Sequence, residues 1–291
     1  VESVLHSYLL NNYISDKSKL FMSRAVRDSH EVHLRRKMPE ARIWPLPIEE
    51  RMFQDVVRNP RKFKIVSIGR AIDFKTYNIY MIDVIDELVR EGYDVYWDVY
   101  GRGDLEQEMR MRIGERKLED RISLKGTLPY PEMKTALSDA YLFVGMGSSA
   151  LEAGFCKVPC IPAVIQSKEP MVYGYLYDLP YYTCGEFLEG VKKVKVVDLI
   201  RNLFSLSPED YQREMDKTYS YVQAYRMDAV MREFLRIVDG TPRGQTVRPF
   251  RTGMHSLYFL YEIIYQMYIC IKSKFRTCPS AQQNSFCCQE F

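Results

Sequence analysis

The regular alternation of short apolar strands and helices between residues 64 and 164 constrains the fold more than any other feature. Apolar runs bounded by glycine or proline predict strands at 64–68, 93–100, 122–124, 141–144 and 159–164. Helices are predicted between them at 77–91, from after Asp104 up to residue 117, and at 131–138. Strands joined in this way by helices run parallel, with right-handed connections. The sequence therefore predicts an α/β fold, a doubly wound parallel sheet with flanking helices.

A glycine follows or ends each of the first four predicted strands: Gly69, Gly101, Gly126 and Gly145. Ligands of open parallel sheets bind beyond the carboxyl ends of the strands. Because glycine is a common turn former, one such position means little, but four in register indicate a ligand site at this edge of the sheet.

The stretch after the fourth strand has the composition of an anion site. Gly145-Met146-Gly147 forms a turn, and Ser148 or Ser149 is expected to cap the helix that follows. The first amides of a helix are unpaired and carry the positive end of its dipole, which favours a phosphate. Glu152 falls one helical turn further on, close enough to meet a sugar hydroxyl beside that phosphate. An ordinary strand-to-helix turn without a ligand is the alternative.

The composition excludes several classes of function. Hydrophobic residues make up 46% of the 291 residues, which is enough for a packed core and argues against a disordered chain. The net charge of +3 gives no reason to expect nucleic acid as a partner. The seven cysteines and four histidines show no spacing typical of a metal site or a catalytic triad. We therefore predict no metal and interpret the cysteines as reduced thiols in the cytoplasm.

The two ends of the chain differ in character from the middle. The chain begins with Val1 rather than Met, and prolines at 45 and 47 favour an extended linker. Residues 1–62 are therefore interpreted as the remnant of an N-terminal domain and a linker. Residues 63–240 form the main domain, closed by helices, of which one begins with Ser207 as N-cap and proline at 208. Residues 241–291 are predicted to be a basic amphipathic tail, partly disordered.

The basic residues of the tail suggest a surface partner. Residues 241–276 hold six Lys or Arg against one Glu, a local charge of +5, so the rest of the chain carries −2. The apolar run 257–271 would make only about 22 Å of helix and contains Glu262, so we reject a membrane span. Its basic flanks predict peripheral binding to an anionic membrane surface on the cytoplasmic side. Packing against a missing N-terminal domain or a partner is the alternative.

Four motifs occupy the predicted strand ends: Ser67-Ile68-Gly69-Arg70 with Lys75, Gly101-Arg102-Gly103, Gly126-Thr127-Leu128-Pro129, and Gly145-Met146-Gly147 with Leu151-Glu152-Ala153. Together they resemble the nucleotide-sugar-binding, C-terminal half of GT-B glycosyltransferases, in particular the large group-one (family 4-like) enzymes that build polysaccharides. The resemblance covers residues 64–165 and, more loosely, 20–240. It implies the Rossmann-like C-terminal domain of the GT-B fold.

The resemblance also implies a role for each motif residue. Arg70 and Lys75 would hold the donor diphosphate as the catalytic cations, which an Arg fork and a Lys point charge can do without a metal or other cofactor. Glu152 would receive the ribose hydroxyls, and the backbone at Thr127 and Leu128 would contact the base. Further nucleotide-sugar contacts are implied for Gly69, Gly101, Gly126, Gly145, Met146, Gly147, Ser148 and Ser149. Solvated surface charges, and a Glu152 that only complements the helix dipole, are the alternatives.

The resemblance implies a hexosyltransferase-like enzyme of polysaccharide biosynthesis, which moves a sugar from a nucleotide-diphosphate donor to a glycan or lipid-linked acceptor. One position departs from the family pattern: the glutamate that contacts the donor sugar, eight residues before Glu152, is replaced by Val144. GT-B enzymes also carry the acceptor site on an N-terminal domain, so the chain resembles an incomplete, donor-binding half. A non-catalytic nucleotide-sugar-binding or regulatory module and a GT-B epimerase or phosphorylase are the alternatives.

Overall fold

A computed structural model describes residues 15–180, 182–240 and residue 264. The chain divides into two units, Asp16–Pro242 and the segments Val1–Ser15 with Arg243–Phe291. The sheet and the cavity described below belong to the first unit. The predicted tail at 241–291, including the apolar run 257–271, lies outside the described residues apart from Ile264.

A five-stranded parallel sheet forms the centre of the first unit. In chain order, the described strands are β1 (Leu20–Phe21), β2 (Arg42–Ile43), β3 (Lys64–Ile68), β4 (Tyr96–Tyr100), β5 (Ile122–Gly126), β6 (Leu142–Gly145), β7 (Cys160–Pro162), β8 (Met171–Val172) and β9 (Val194–Lys195). Strands β1 and β2, and strands β8 and β9, form separate two-stranded sheets. The large sheet has the spatial order β5-β4-β3-β6-β7. The chain therefore moves outward on one side of β3 and then returns to its other side, so strand order reverses between β3 and β6. A crevice at such a reversal is where doubly wound sheets bind ligands.

Helices connect and flank the strands, as the sequence predicts. They are α1 (Arg24–Leu34), α2 (Tyr77–Arg90), α3 (Glu106–Glu115), α4 (Met133–Ser138), α5 (Ser148–Phe155), α6 (Val196–Ser205), α7 (Pro208–Val222) and α8 (Met227–Asp239). The predicted start of α7 is confirmed, because the Ser207 hydroxyl accepts a 3.1 Å hydrogen bond from the amide of Asp210. The predicted doubly wound α/β fold is confirmed.

The core lies on both faces of the sheet, because alternate residues of a strand point to opposite faces. Ile65 packs on one side with Trp97 of β4 and Leu88 of α2. Its neighbour Val66 packs on the other side with Phe143 of β6 and Leu151 of α5. Apolar runs that are buried on both faces are typical of parallel strands.

The segment 41–59, which contains the predicted proline-rich linker, is packed more closely than its composition suggests. The amide of Ile48 donates a 2.8 Å hydrogen bond to the carbonyl of Tyr225, and Phe53 is buried in the same core as α5. The Arg58 guanidinium donates to the Ser138 carbonyl at the end of α4, at 2.9 Å. Pro45 and Pro47 prevent a helix in their own part of the segment, and a short 3-10 helix forms only after them, at Glu50–Phe53. The prolines leave these backbone and side-chain contacts available.

Helix α8 lies against the residues that precede the sheet. The indole of Trp44 donates a 3.3 Å hydrogen bond to the carbonyl of Val230 and packs its rings 5.2 Å from those of Phe234. The guanidinium of Arg42 donates to the carbonyl of Ile237. The last helix of the unit is thus held by the N-terminal segment rather than by the large sheet.

Candidate functional site

A cavity of about 630 Å³ opens at the carboxyl ends of β3 and β6, where the strand order reverses. Its wall includes Gly69 and Arg70 after β3, the turn Met146–Gly147 after β6, and the loop that carries Cys184–Glu186. Met22 and Leu46, from the segment before the sheet, also line it. The described part of the chain therefore places a ligand-sized cavity at the predicted edge of the sheet.

Two cations, Arg70 and Lys75, line this cavity and have no counter-ion among the described residues. The Lys75 ammonium is partly buried, and a side-chain carbon built at Gly69 would lie only 2.7 Å from its Nζ. Within the described residues, neither charged group forms a hydrogen bond or an ion pair. Burial, and then the nearby charge of Arg70, lower the pKa of Lys75. Two mutually repelling cations at a cavity, neither of them paired with an acid among the described residues, favour binding of an anionic ligand.

The loops after β3 and β4 pair with each other beyond the strands. The amide of Gly69 donates to the carbonyl of Tyr100 at 2.8 Å, and that of Gly101 to the carbonyl of Gly126 at 2.7 Å. Gly101 has a φ of +133°, and a Cβ there would lie 2.0 Å from the carbonyl oxygen of Gly69. Only glycine permits this approach, so Gly101 supports the loop that carries Arg70.

The turn before α5 is built differently from the prediction. Gly147, with a φ of +80°, is the N-cap residue, and no side chain caps the helix. The prediction that Ser148 or Ser149 caps it is wrong: Ser148 is already the first helical residue, and the Ser149 hydroxyl donates to the carbonyl of Met146 at 3.3 Å. Because the first amides of a helix have no partner inside it, a glycine N-cap leaves them available to a ligand.

Glu152 is a buried carboxylate at the cavity wall. Its Oε1 accepts a 3.0 Å hydrogen bond from the hydroxyl of Tyr130, and the residue as a whole is only 7% exposed. Burial raises the pKa of Glu152, and the hydrogen bond from Tyr130 opposes that shift. The second carboxylate oxygen is not engaged by any described residue, so the group can accept a ligand hydroxyl.

The structure brings most of the predicted site residues to one cavity. Those that line it are Gly69, Arg70, Lys75, Leu128, Met146, Gly147, Ser148, Ser149 and Glu152. The others stand at the predicted strand ends but not in the cavity wall: Gly101, Gly126, Thr127 and Gly145.

The glycines outside the wall make contacts within the protein, and their predicted role as ligand contacts stays a prediction. Gly101 and Gly126 join neighbouring loops, and a Cβ at Gly145 would lie 2.8 Å from the ring of Phe143. Thr127 is exposed outside the cavity. Close packing within the protein is by itself a reason for glycine at these positions.

Sequence reasoning missed several polar residues of the wall, among them Tyr130 and Glu186. Tyr130 follows the Gly126 motif within four residues, so its place beside the cavity could have been inferred. Glu186 comes from a loop far beyond the last predicted strand and has no motif around it.

No group of three His, Cys, Asp or Glu side chains in the described part of the chain is arranged to hold a metal ion. No helix there is both long and apolar enough to cross a membrane.

A doubly wound sheet with its cavity at the reversal of strand order places the protein among Rossmann-like α/β domains. Residues 48–168 match the family model described as glycosyl transferases group 1. Comparison with curated proteins gave no significant sequence match. The predicted resemblance is confirmed: residues 48–168 match the group 1 glycosyltransferase model, and the fold is similar to that of solved GT-B glycosyltransferases.

Solved structures share this fold at low sequence identity. A TarM variant from S. aureus, solved with fondaparinux, alpha-GlcNAc-glycerol and UDP, has a TM-score of 0.56 and 17% identity, over 77% of this chain and 44% of that one. A glycosyltransferase from Rickettsia africae ESF-5 has a TM-score of 0.58 and 12% identity, over 78% and 65%. Sucrose-phosphate synthase from Thermosynechococcus elongatus has a TM-score of 0.56 and 15% identity, over 76% of this chain and 57% of that one. The chain thus spans less than half of TarM and under two thirds of the others.

Proposed function

We propose that this cavity binds the diphosphate of a nucleotide sugar and that the protein is the donor half of a hexosyltransferase. The sugar would pass to a glycan or lipid-linked acceptor in polysaccharide biosynthesis. The observation that carries the proposal is the pair of cations, Arg70 and Lys75, which face the cavity without a counter-ion among the described residues. The presence of UDP in the TarM structure supports the same class of ligand.

The chemistry follows from the charge that develops during transfer. The bond between the anomeric carbon and the diphosphate oxygen breaks, and its electron pair stays on the diphosphate. The acceptor hydroxyl forms the new bond and loses its proton. Arg70 can grip the departing diphosphate with a planar fork, and Lys75 adds a point charge beside it. The free amides at the start of α5 contribute the positive end of the helix dipole. These protein groups stabilise the leaving group without a metal or another cofactor.

The rest of the nucleotide is assigned to the other side of the cavity. Glu152 accepts the ribose hydroxyls, because it lines the cavity and one of its carboxylate oxygens is not engaged by any described residue. The backbone near Leu128, which lines the cavity, contacts the base. Exposed Thr127 belongs to the same turn and is at most a marginal contact.

The acceptor and the remaining catalytic groups are proposed to lie on a second, N-terminal domain. The limited share of TarM that the chain covers supports this division. A second candidate is a non-catalytic nucleotide-sugar-binding module. It is favoured by Val144, whose side chain is fully buried in β6 and cannot meet a sugar.

The proposal is tested by calorimetry with the purified chain and three pairs of ligands: UDP and uridine, GDP and guanosine, and ADP and adenosine. We expect at least one diphosphate to bind tenfold or more tightly than its nucleoside, because the difference lies in the phosphates alone. Equal affinity within every pair, or no binding, would refute the diphosphate site. Sugar transfer by this chain alone would refute the donor-half assignment.

A further inference from the structure

Glu186 is a second carboxylate in the cavity, and the mechanism above does not use it. Among the described lining residues, Glu152 and Glu186 are the acids. The Oε2 of Glu186 accepts a 2.7 Å hydrogen bond from the amide of Cys184, within its own loop. Its other oxygen has no partner within the described part of the chain. The carboxylate therefore keeps half of its hydrogen-bonding capacity for a ligand.

The loop that carries Glu186 is fixed against the turn before α5. The amide of Gly147 donates to the carbonyl of Cys184 at 2.7 Å, and that of Ile165 donates to the carbonyl of Gly185 at 2.8 Å. A Cβ at Gly185 would lie 2.7 Å from the Cβ of Met146, so only glycine fits. Glu186 thus sits on a backbone that is hydrogen-bonded to the glycine turn itself.

This attachment fixes where the carboxylate stands relative to a bound nucleotide sugar. The diphosphate is assigned to the Gly147 turn and to Lys75, and the sugar is joined directly to its distal phosphate. Glu186 is two residues from Cys184, the direct hydrogen-bond partner of that turn. We propose that Glu186 accepts hydroxyl groups of the donor sugar and so determines which sugar is bound, a task that Val144 cannot perform. This inference rests on the proposed function.

Electrostatics distinguish this role from a purely structural one. A carboxylate close to a diphosphate repels it. If the side chain at 186 only held the loop through its hydrogen bond with the Cys184 amide, a neutral side chain would do so without lowering nucleotide affinity. Glu186 forms no ion pair with Lys75 or Arg70, so it does not serve to balance their charge. A gain from sugar hydroxyls, which donate to a carboxylate in charge-assisted bonds, offsets the repulsion.

The test compares Glu186→Gln with the wild-type chain by calorimetry. The affinities for UDP-glucose, UDP-galactose and UDP-N-acetylglucosamine are each compared with the affinity for UDP, and the affinity for GDP-mannose is compared with that for GDP. Glutamine keeps an oxygen for the Cys184 amide but loses the charge. We expect the preferred nucleotide sugar to bind about tenfold more weakly, while the matching diphosphate binds equally or more tightly. Glu189→Gln, an exposed acid three residues further on, should change neither affinity.

The outcomes separate the two proposals. If the wild-type chain binds a diphosphate but Glu186→Gln leaves the ratio of sugar to diphosphate affinity unchanged, the assignment of Glu186 is wrong and the proposed function stands. Equal weakening of diphosphate and nucleotide sugar would show a structural role for Glu186 and also overturn the assignment. If the wild-type chain binds none of the probes, the proposed function fails and the assignment fails with it.

Discussion

The hydroxyl of Tyr130 donates a 3.0 Å hydrogen bond to the Oε1 of Glu152, and no cation among the described residues pairs with this buried carboxylate. Burial raises the pKa of Glu152, so the charged form is less stable in the folded chain than in the unfolded one. The site therefore holds a charge that weakens the fold, as is common for groups kept for binding.

Replacing Glu152 by Gln should stabilise the fold at neutral pH and weaken ligand binding. Since the folded-state pKa is raised, the contribution of Glu152 to stability is fully present below its unfolded-state pKa and is lost as the pH rises through the folded-state pKa. Urea unfolding should show the variant more stable by about 0.5–2 kcal/mol at pH 7.5, with a smaller difference at pH 4. Calorimetry should show weaker binding of nucleoside and diphosphate alike, because the ribose contact is lost.

The exposed Glu119 provides the matched control for this prediction. Glu119→Gln should change the free energy of unfolding by less than about 0.5 kcal/mol at either pH. A Glu152→Gln variant that is less stable than the wild type at pH 7.5 would show that the carboxylate supports the fold, and would contradict the interpretation of its burial.

Gly101→Ala should unfold the loops around Arg70 at a high cost in stability. The added Cβ would lie 2.0 Å from the Gly69 carbonyl oxygen, which is backbone and cannot move aside without breaking the pairing of the two loops. We expect a loss of roughly 3 kcal/mol or more in denaturant unfolding, the range of severe steric and backbone effects. Diphosphate affinity should fall as well, since Arg70 follows Gly69 directly.

Gly92→Ala separates the steric clash from backbone strain. Gly92 also has a positive φ, of +90°, but a Cβ there meets no atom within 4 Å. Its replacement should cost only about 1–2 kcal/mol, the cost of a left-handed conformation for alanine. Similar losses for both variants would mean that the approach of Gly101 to Gly69 is not what requires glycine there.

The sequence predicted the sheet well because its information is local. Buried strands such as Lys64–Ile68 are short apolar runs with a glycine after them, and their helical connections leave few topologies to choose from. The cations of the site were predictable because they belong to a motif beside such a strand. The same reasoning assigned Gly101 to a ligand but did not foresee its close approach to the Gly69 carbonyl, because glycines that admit a ligand or a neighbouring loop look alike in a sequence.

The errors and omissions lie where distant segments meet. The N-cap of α5 depends on the φ of Gly147. The two serines that follow it are more typical N-cap residues, so the sequence favoured them instead. Glu186 enters the cavity only because its loop is hydrogen-bonded to the Gly147 turn, a contact between residues 37 positions apart in the chain. Such contacts leave no periodic pattern in a single sequence.

The basic residues of 241–276 remain the basis of a prediction about membranes. Neutralising Arg248, Arg251, Lys272, Lys274 and Arg276 to Gln should abolish flotation of the chain with vesicles that contain 30% phosphatidylserine. Each basic residue near an anionic surface contributes about 1 kcal/mol. Binding by the wild-type chain should weaken as salt rises from 50 to 500 mM, because exposed charges are screened.

Vesicles of pure phosphatidylcholine are the control for this experiment, and the wild-type chain should not float with them. Equal partitioning of the wild-type and neutralised chains onto anionic vesicles would contradict the membrane prediction. It would favour the alternative that these residues pack against another domain or a partner.

Lys75→Ala should remove much of the preference for a diphosphate over its nucleoside. A charge-assisted hydrogen bond contributes roughly 1.5–3 kcal/mol, so the diphosphate should bind about tenfold or more weakly, while nucleoside affinity stays within about twofold. Calorimetry with the pair that the wild-type chain binds best measures both values. The variant should also be no less stable than the wild type, because it removes a partly buried cation that Arg70 repels.

Lys75→Arg tests whether charge alone meets the requirement at this position. Arginine keeps the charge, but its wider planar group has to fit beside Gly69, where Lys75 already lies in close contact. We expect a diphosphate affinity between those of the wild type and Lys75→Ala. If Lys75→Ala lowers diphosphate and nucleoside affinity equally, or lowers neither, Lys75 does not contact the phosphates. The two cations would then be solvated charges at the rim of the cavity, and the assignment of the site would have to be abandoned.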